Sequence, residues 1–252
     1  IHSLDPRTKI LGVFAYLISL FFIKSFTGFA AAALFLGMCI AISKVPLNFV
    51  TKGFKPIMVI LILTVIVNVL SGTGEPIFSW WIIKITANGI YRAFFMAIRL
   101  ILLVFGSSVL TLTTKPISLT DGLEKIFAPL KIIGIPAHEL AMMMSIALRF
   151  IPTLIEETDK IMSAQKARGA EIDTGSFMNR AKNMIAILIP LFISAFKRAN
   201  ELATAMECRC YRGGEGRTKM FPLRYEKRDH LAYLTVFLYV GIMIAFRILF
   251  AG

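Results

Sequence analysis

The sequence predicts an all-α, polytopic membrane protein: about five transmembrane helices, with long cytoplasmic helices between the fourth and the fifth. Three observations carry this prediction. The 252 residues are 57% hydrophobic and only 17% charged, with a mean hydropathy of +0.74, too apolar for an ordinary water-soluble domain. Long apolar runs alternate with short basic or turn-rich breaks. The charges are also unevenly placed. Residues 1–113 hold nine Lys/Arg and two acids, whereas 114–230 hold eighteen Lys/Arg and thirteen acids. The first group flanks apolar runs, as basic residues on the cytoplasmic side do, and the second is mixed in sign, as on solvated helices. The chain is thereby divided into 1–113, with transmembrane helices 1–4, 114–230, with the cytoplasmic or interfacial helices, and 231–252, the last transmembrane helix.

Leu4-Asp5-Pro6-Arg7-Thr8-Lys9 precedes an apolar run from Ile10 to Ile23. A basic flank before an apolar core also describes a signal peptide. Hydrophobicity resumes after Lys24 and continues to Ser43, however, so 10–23 and 26–43 read as a transmembrane hairpin with a short or tilted first span. Lys24 would snorkel at the turn. A connector with three lysines, from Lys44 to Pro56, belongs on the cytoplasmic side, and 57–70 form a third span. Ser71 to Pro76 is a turn-rich break. Ile77 to Ile85 holds Trp80 and Trp81 among β-branched residues, which suits an interfacial aromatic anchor or a small extracellular hairpin. The fourth span, about 90–113, contains Arg92 and Arg99, and charge is expensive at the bilayer centre. Arg92 is expected near the outer interface. Arg99 either turns toward protein or meets a partner within the membrane.

The character changes after Lys115-Pro116. Ser118 to Lys131 reads as a short amphipathic helix, with Asp121 and Glu124 early and Lys131 late, as the helix dipole favours. Gly134-Ile135-Pro136 breaks it. Two long helices are predicted next, over 136–168 and 176–213, separated by residues 172–176. In the first, Leu140, Met143, Met144, Ala147, Leu148, Ile151, Leu154 and Ile155 recur at helical spacing, and Pro152 is expected to kink it. In the second, Met184, Ile185, Leu188, Ile189, Phe192, Ile193 and Phe196 make a stripe too wide for a surface helix, and Pro190 interrupts it. Charges recur every few residues, so neither reads as a simple span. Both are expected at the inner face, burying apolar sides against lipid or another subunit. Residues 214–228 form a Gly- and Arg-rich connector, and 231–249 the last span. Five spans starting inside place the N-terminus in the cytoplasm and the C-terminus outside.

Enzyme chemistry has no support in the sequence. Gly213-Gly214-Glu215-Gly216-Arg217-Thr218 lacks the Gly-Lys-Ser/Thr ending of a phosphate-binding loop. Three cysteines without framework spacing do not make a disulfide scaffold. Cys208-x-Cys210 has no matching metal-ligand group, and His2, His138 and His230 are scattered. The excess of positive charge lacks the aromatic platform of a nucleic-acid binder.

Each long helix closes instead on an arginine between small residues. Ala167-Arg168-Gly169 and Cys208-Arg209-Cys210 place these arginines 41 residues apart. A basic residue can simply cap a helix C-terminus. An exposed guanidinium with small neighbours can also pair bidentately with a partner's carboxylate. Two such tips on consecutive apolar rods suit a device that passes force between partners.

Through the Leu4-Asp5-Pro6-Arg7 opening, the apolar spans and the long helices closing on Ala-Arg-Gly-type motifs, essentially the whole chain resembles one family. That family is the transmembrane T component of energy-coupling factor (ECF) transporters, vitamin and metal importers related to ABC systems. Ala167-Arg168-Gly169 matches the first motif in full. The second departs, since Cys208 and Cys210 replace the small flanks around Arg209, and Arg212 is the alternative second contact. The resemblance implies a bacterial cell-membrane location and two cytoplasmic ATPases, which would hold ATP and magnesium and take the arginine tips in grooves. This chain would hold no cofactor. It also implies a membrane-embedded substrate-binding S component lying across the long helices. Met143, Met144, Leu148, Leu188, Phe192 and Phe196 are the expected contacts. Met142-Met143-Met144 suits a deformable docking surface or ordinary core filling equally. Which vitamin or metal is carried, and whether the S component is dedicated or exchanged, stays open. A self-contained secondary transporter or channel would instead want a midplane polar site, where only Asn68 and Arg99 stand out. A lipid-modifying membrane enzyme would want a His or carboxylate cluster at the inner face.

Overall fold

The computed structural model describes residues 1–23, 25–46, 57–71, 76–80, 83–129, 134, 136–169, 177–213 and 223–250. Lys24, most of the basic connector, the break at 72–75, Trp81, Lys131, the separator at 172–176 and the glycine-rich loop from Gly214 lie outside the described residues. Contacts group Ile1–Lys125 with Leu223–Gly252 as one unit and Ile126–Pro222 as a second.

The first unit is built from the predicted spans. Helix α1 (Pro6–Phe22) begins on a proline, which is pre-set for the first helical position, and Asp5 caps it by accepting from the Arg7 amide at 2.9 Å. Helix α2 (Phe26–Ser43) is capped by Ser25, whose hydroxyl accepts from the Gly28 amide. Helix α3 (Met58–Leu70) is followed by an antiparallel hairpin, β1 (Pro76–Trp80) and β2 (Ile83–Thr86), with Phe78 opposite Ile85 and Trp80 opposite Ile83. This is the small hairpin that the β-branched stretch suggested. Thr86 ends the hairpin and caps helix α4 (Ala87–Thr113), accepting from the Gly89 amide. Helix α5 (Pro116–Phe127) starts two residues earlier than expected, because Pro116 can take the first helical position. Asp121 and Glu124 consequently sit beyond its first turn. Helix α8 (Lys227–Phe250) is the last span.

The core where α1, α2, α4 and α8 meet is centred on Tyr16, Leu20, Phe29, Ala32, Leu36, Leu102, Val109, Tyr239 and Met243. Phe35 stacks on Tyr239 with ring centroids 4.3 Å apart, and the Tyr239 hydroxyl meets Ser19 Oγ at 2.9 Å. Gly106 lets α4 close onto the Tyr16 ring, since a Cβ there would fall 2.6 Å from Tyr16 Cε1. The outer surface is the reverse of a soluble protein's: Phe237 is 79% and Leu34 76% exposed, as on helices whose solvent is lipid. Among the described residues, Phe26–Ser43, Ala87–Thr113, His138–Ala167 and Lys227–Ile248 are long and apolar enough to cross a membrane, and Met58–Leu70 is a shorter apolar helix.

Two polar groups within the spans find partners inside the protein. Asn68 Nδ2 donates to Thr64 O one turn back. Arg99 Nη2 donates to the carbonyl of Ile23, at the open end of α1, at 3.1 Å, and its guanidinium carbon lies 5.3 Å from the Phe95 ring centroid. Of the two expectations for Arg99, the turn toward protein is the one observed. Arg92 is exposed.

The opposite end of α1 is tied by a buried polar knot. Asp229, 1% exposed, accepts from the Asp5 amide at 2.8 Å and from the Glu226 amide at 2.9 Å. The Asp229 amide donates back to Glu226 O, a reciprocal capping arrangement at the start of α8. Asp5 holds Arg7 through two contacts of 3.0 and 3.1 Å, and the Arg7 guanidinium lies 4.1 Å over the Tyr225 ring. Lys9 Nζ donates to His2 O and to Thr113 O, both at 3.0 Å, and His2 Nε2 donates to Ser43 O. The starts of α1 and α8 and the ends of α2 and α4 are thereby gathered at one end of the bundle.

Asp229→Ala strands two amides away from water and should cost about 3 kcal/mol. The expected outcome is a lower unfolding midpoint for the purified protein in detergent, with Glu226→Ala, which keeps both backbone partners, much milder.

Candidate functional site

The second unit holds the two long helices, α6 (Ala137–Ala167) and α7 (Phe177–Cys208). Helix α6 ends within a residue of its expected limit and continues past Pro152. Helix α7 continues past Pro190 but stops at Cys208, five residues short of the predicted 213. Although read as interfacial, α6 carries a window apolar enough to span a membrane. The reason is charge placement: Glu156, Glu157, Asp159, Lys160 and Lys166 crowd its second half, leaving only Glu139 and Arg149 in the first.

The helices pair through a mixed seam. Arg198 Nη2 and Nε donate to Glu157 Oε2 at 2.9 and 3.2 Å, and Ser194 Oγ donates to Glu157 Oε1. Gln165 Nε2 donates to Ala186 O at 3.3 Å. Residue numbers fall on one helix as they rise on the other, so the pair is antiparallel. The apolar stripes expected as packing surfaces are turned largely outward. Met143, Met144, Leu188, Phe192 and Phe196 are all exposed, while Leu148 is half-buried. Phe192 and Phe196 rest against each other at 4.7 Å. The sequence reading missed Glu157, Ser194 and Arg198 as a set. The available signal was a carboxylate and a guanidinium 41 residues apart, the same interval as the two tips.

Both tips are built alike. Arg168 follows the last residue of α6, its amide bonding to Ala164 O and Gln165 O. Gly169 comes next with φ +86°, in the left-handed region, and its amide returns to Lys166 O. At the end of α7, Arg209 holds the corresponding place. Cys210 follows with φ 55°, its amide bonding to Glu207 O at 2.8 Å, while the Tyr211 amide bonds to Met206 O at 3.0 Å. The second pair of bonds completes a Schellman motif. Ala-Arg-Gly and Cys-Arg-Cys thus reach one backbone geometry, with the arginine at the cap and a left-handed residue after it. Arg212 lies beyond that turn, next to Gly213 at φ +89°. Ala167, Arg168, Gly169, Cys208, Arg209, Cys210 and Arg212 are all exposed apart from Cys210's backbone bond. No described residue takes the Arg168 or Arg209 guanidinium. Because the helices are antiparallel, the tips occupy opposite ends of the pair, roughly 35 Å apart along it at about 1.5 Å per residue.

Residues 1–220 match the family model described as CbiQ, cobalt transport protein. The chain is 50% identical over 250 residues to the energy-coupling factor transporter transmembrane protein EcfT of Clostridium kluyveri, covering 98% of this chain and 93% of the relative. The EcfT proteins of Acidaminococcus fermentans (51% over 246 residues; 98% and 91% covered) and Lactococcus lactis (41% over 245; 97% and 92%) are similar along their lengths. The chain belongs to the EcfT family of ECF transporter transmembrane proteins. An EcfT protein is a membrane component of a transporter, and the helical architecture described above, with its one small hairpin among the described residues, accords with that role.

Left-handed backbone strains a residue that carries a Cβ by about 1 kcal/mol, and a β-branched one by more. Cys210→Gly should therefore raise the unfolding midpoint slightly. Cys210→Val should lower it and expose the end of α7 to limited proteolysis.

Proposed function

We propose that this EcfT-family chain couples ATP hydrolysis in partner subunits to substrate release from a separate membrane carrier. Two cytoplasmic ABC-type ATPases take Arg168 and Arg209, each guanidinium meeting acidic groups in a groove, with Ala167, Gly169, Cys208 and Cys210 allowing close backbone approach. The observation that carries this reading is the shared cap geometry of the two tips at opposite ends of an antiparallel pair. That arrangement offers one grip to each of two similar subunits. It also favours Arg209 over Arg212 as the second contact, since only Arg209 occupies the position equivalent to Arg168.

ATP and magnesium belong to the ATPases, and this chain holds no nucleotide. Closure of the ATPases moves the tips, and the bodies of α6 and α7 pass that motion to an S component resting on Met143, Met144, Leu148, Leu188, Phe192 and Phe196. The exposed, flexible methionines and the paired phenylalanines provide a surface that can repack against a partner. The cargo is a vitamin or other micronutrient selected by the S component. The knot that sets the starts of α1 and α8 side by side supports a cytoplasmic N-terminus and an extracellular C-terminus, because both helices then leave the same face. Lys44, Lys115 and Lys125 mark that face as the cytoplasmic one.

Arg168→Glu with Arg209→Glu should abolish co-purification of the ATPases and uptake of radiolabelled B vitamins by cells expressing the assembled transporter, while the chain remains inserted. Single Arg209→Ala should weaken ATPase binding by about 2 kcal/mol or more, as loss of a charge-assisted bidentate pair does, and Arg212→Ala by much less. Normal uptake by the double variant would remove the assigned role.

A further inference from the structure

The seam between α6 and α7 combines a few polar bonds with small and apolar side chains. On α7 the half-buried side chains include Ala186, Ile187, Pro190, Leu191 and Ala195, all small or apolar, beside Ser194 and Arg198. Contacts of that kind are non-directional, so the helices could slide by one turn, about 5.4 Å, with little change in buried area. Together with the weaker bond from Gln165 to Ala186 O, Glu157 breaks this degeneracy. Its two oxygens are taken by Ser194 Oγ on one side and by the Arg198 guanidinium on the other, leaving its side chain 23% exposed. A slide of one turn would leave a half-buried carboxylate and guanidinium without partners, which costs more than the pair itself contributes.

The position of this contact is also particular. Glu157 lies eleven residues before Arg168, and Arg198 lies eleven before Arg209. Eleven residues are close to three full turns, so each seam residue and the tip beyond it share one face of their helix. Each arm is then about 16 Å long. The ion pair marks the point from which the two tips are equally distant.

We propose that Glu157, Ser194 and Arg198 form a register lock that fixes the crossing of α6 and α7 midway between the arginine tips, so that displacement of one tip is matched at the other. These are positioning residues: they act through Arg168 and Arg209. A slip of one turn changes the span between the tips by about 5.4 Å, so that motion taken up at one tip is no longer matched at the other.

The lock rests on the coupling function proposed above, and its test separates the two. In the assembled transporter, Glu157→Gln and Arg198→Gln leave both tips intact, so co-purification of the ATPases persists. Uptake per ATP hydrolysed, measured with the B vitamin that the native assembly imports most strongly, falls about tenfold, within the range of residues joined in one hydrogen-bond network. The exchange variant E157R/R198E recovers most of that ratio. Ser194→Ala keeps the ion pair and gives an intermediate ratio, which guards against misfolding of the charge variants. Parallel loss of hydrolysis and uptake, or an exchange variant no better than its single components, overturns the lock. Either result leaves the coupling function to stand or fall on the arginine-tip variants.

Discussion

A carboxylate almost wholly withdrawn from water, at Asp229, joins the first and last helices of the membrane unit. Charge in such a place persists only where donors surround it. Here the donors are the amides of Asp5 and Glu226, groups that helix starts leave without partners. Asp5 is committed in turn to Arg7, and Lys9 carries the connection on to the end of α4 through the Thr113 carbonyl. Four helix ends are thereby tied to one another by direct bonds. The register so fixed is the one in which the same helices pack the aromatic core around Tyr16 and Tyr239. The apolar side chains left outside contribute nothing to that register, because lipid accepts them in any arrangement.

The long-helix unit follows a different logic. Its seam is polar and its stripes face outward, so the pair is held by direction-dependent bonds and presents its apolar faces to whatever lies around it. The helix ends repeat this economy. The arginine side chains take no part in their own caps, whose carbonyls are satisfied by backbone amides, and the guanidinium groups are left available. The same backbone turn that closes each helix aims its tip.

Helix identity was legible in the sequence wherever hydrophobic runs and turn signals agreed: α1, α2, α3, α4 and α8 fall close to their predicted spans. The hairpin before α4 was legible from β-branched residues between turn signals. The start of α5 was misplaced because Pro116 was read as a break and not as a first helical residue. The end of α7 was placed too far on because Cys210 carries no left-handed signature, whereas Gly169 announced the end of α6 at once. The outward turn of the stripes could not be read from periodicity, which assigns residues to a face but not the face to a neighbour. Asp229 falls between the connector ending at residue 228 and the span beginning at 231, and it drew no reading of its own. Its spacing from Glu226, an acid three residues into a helix, was the available clue. Long-range partners such as Glu157 with Arg198 depend on how two helices are docked, and the 41-residue interval they share with the tips does not by itself name a pairing.

The bond from Arg99 to the Ile23 carbonyl bears on the surrounding bilayer. Arg99 lies fourteen residues before Thr113 on α4, a rise of about 21 Å, and α1 spans about 26 Å. A hydrocarbon layer is about 30 Å thick. Measured from the contact of Lys9 with Thr113, Ile23 and the guanidinium bonded to it lie several ångström short of that thickness. A bilayer of that thickness would have to thin at that corner of the protein to keep the guanidinium in reach of headgroups and water.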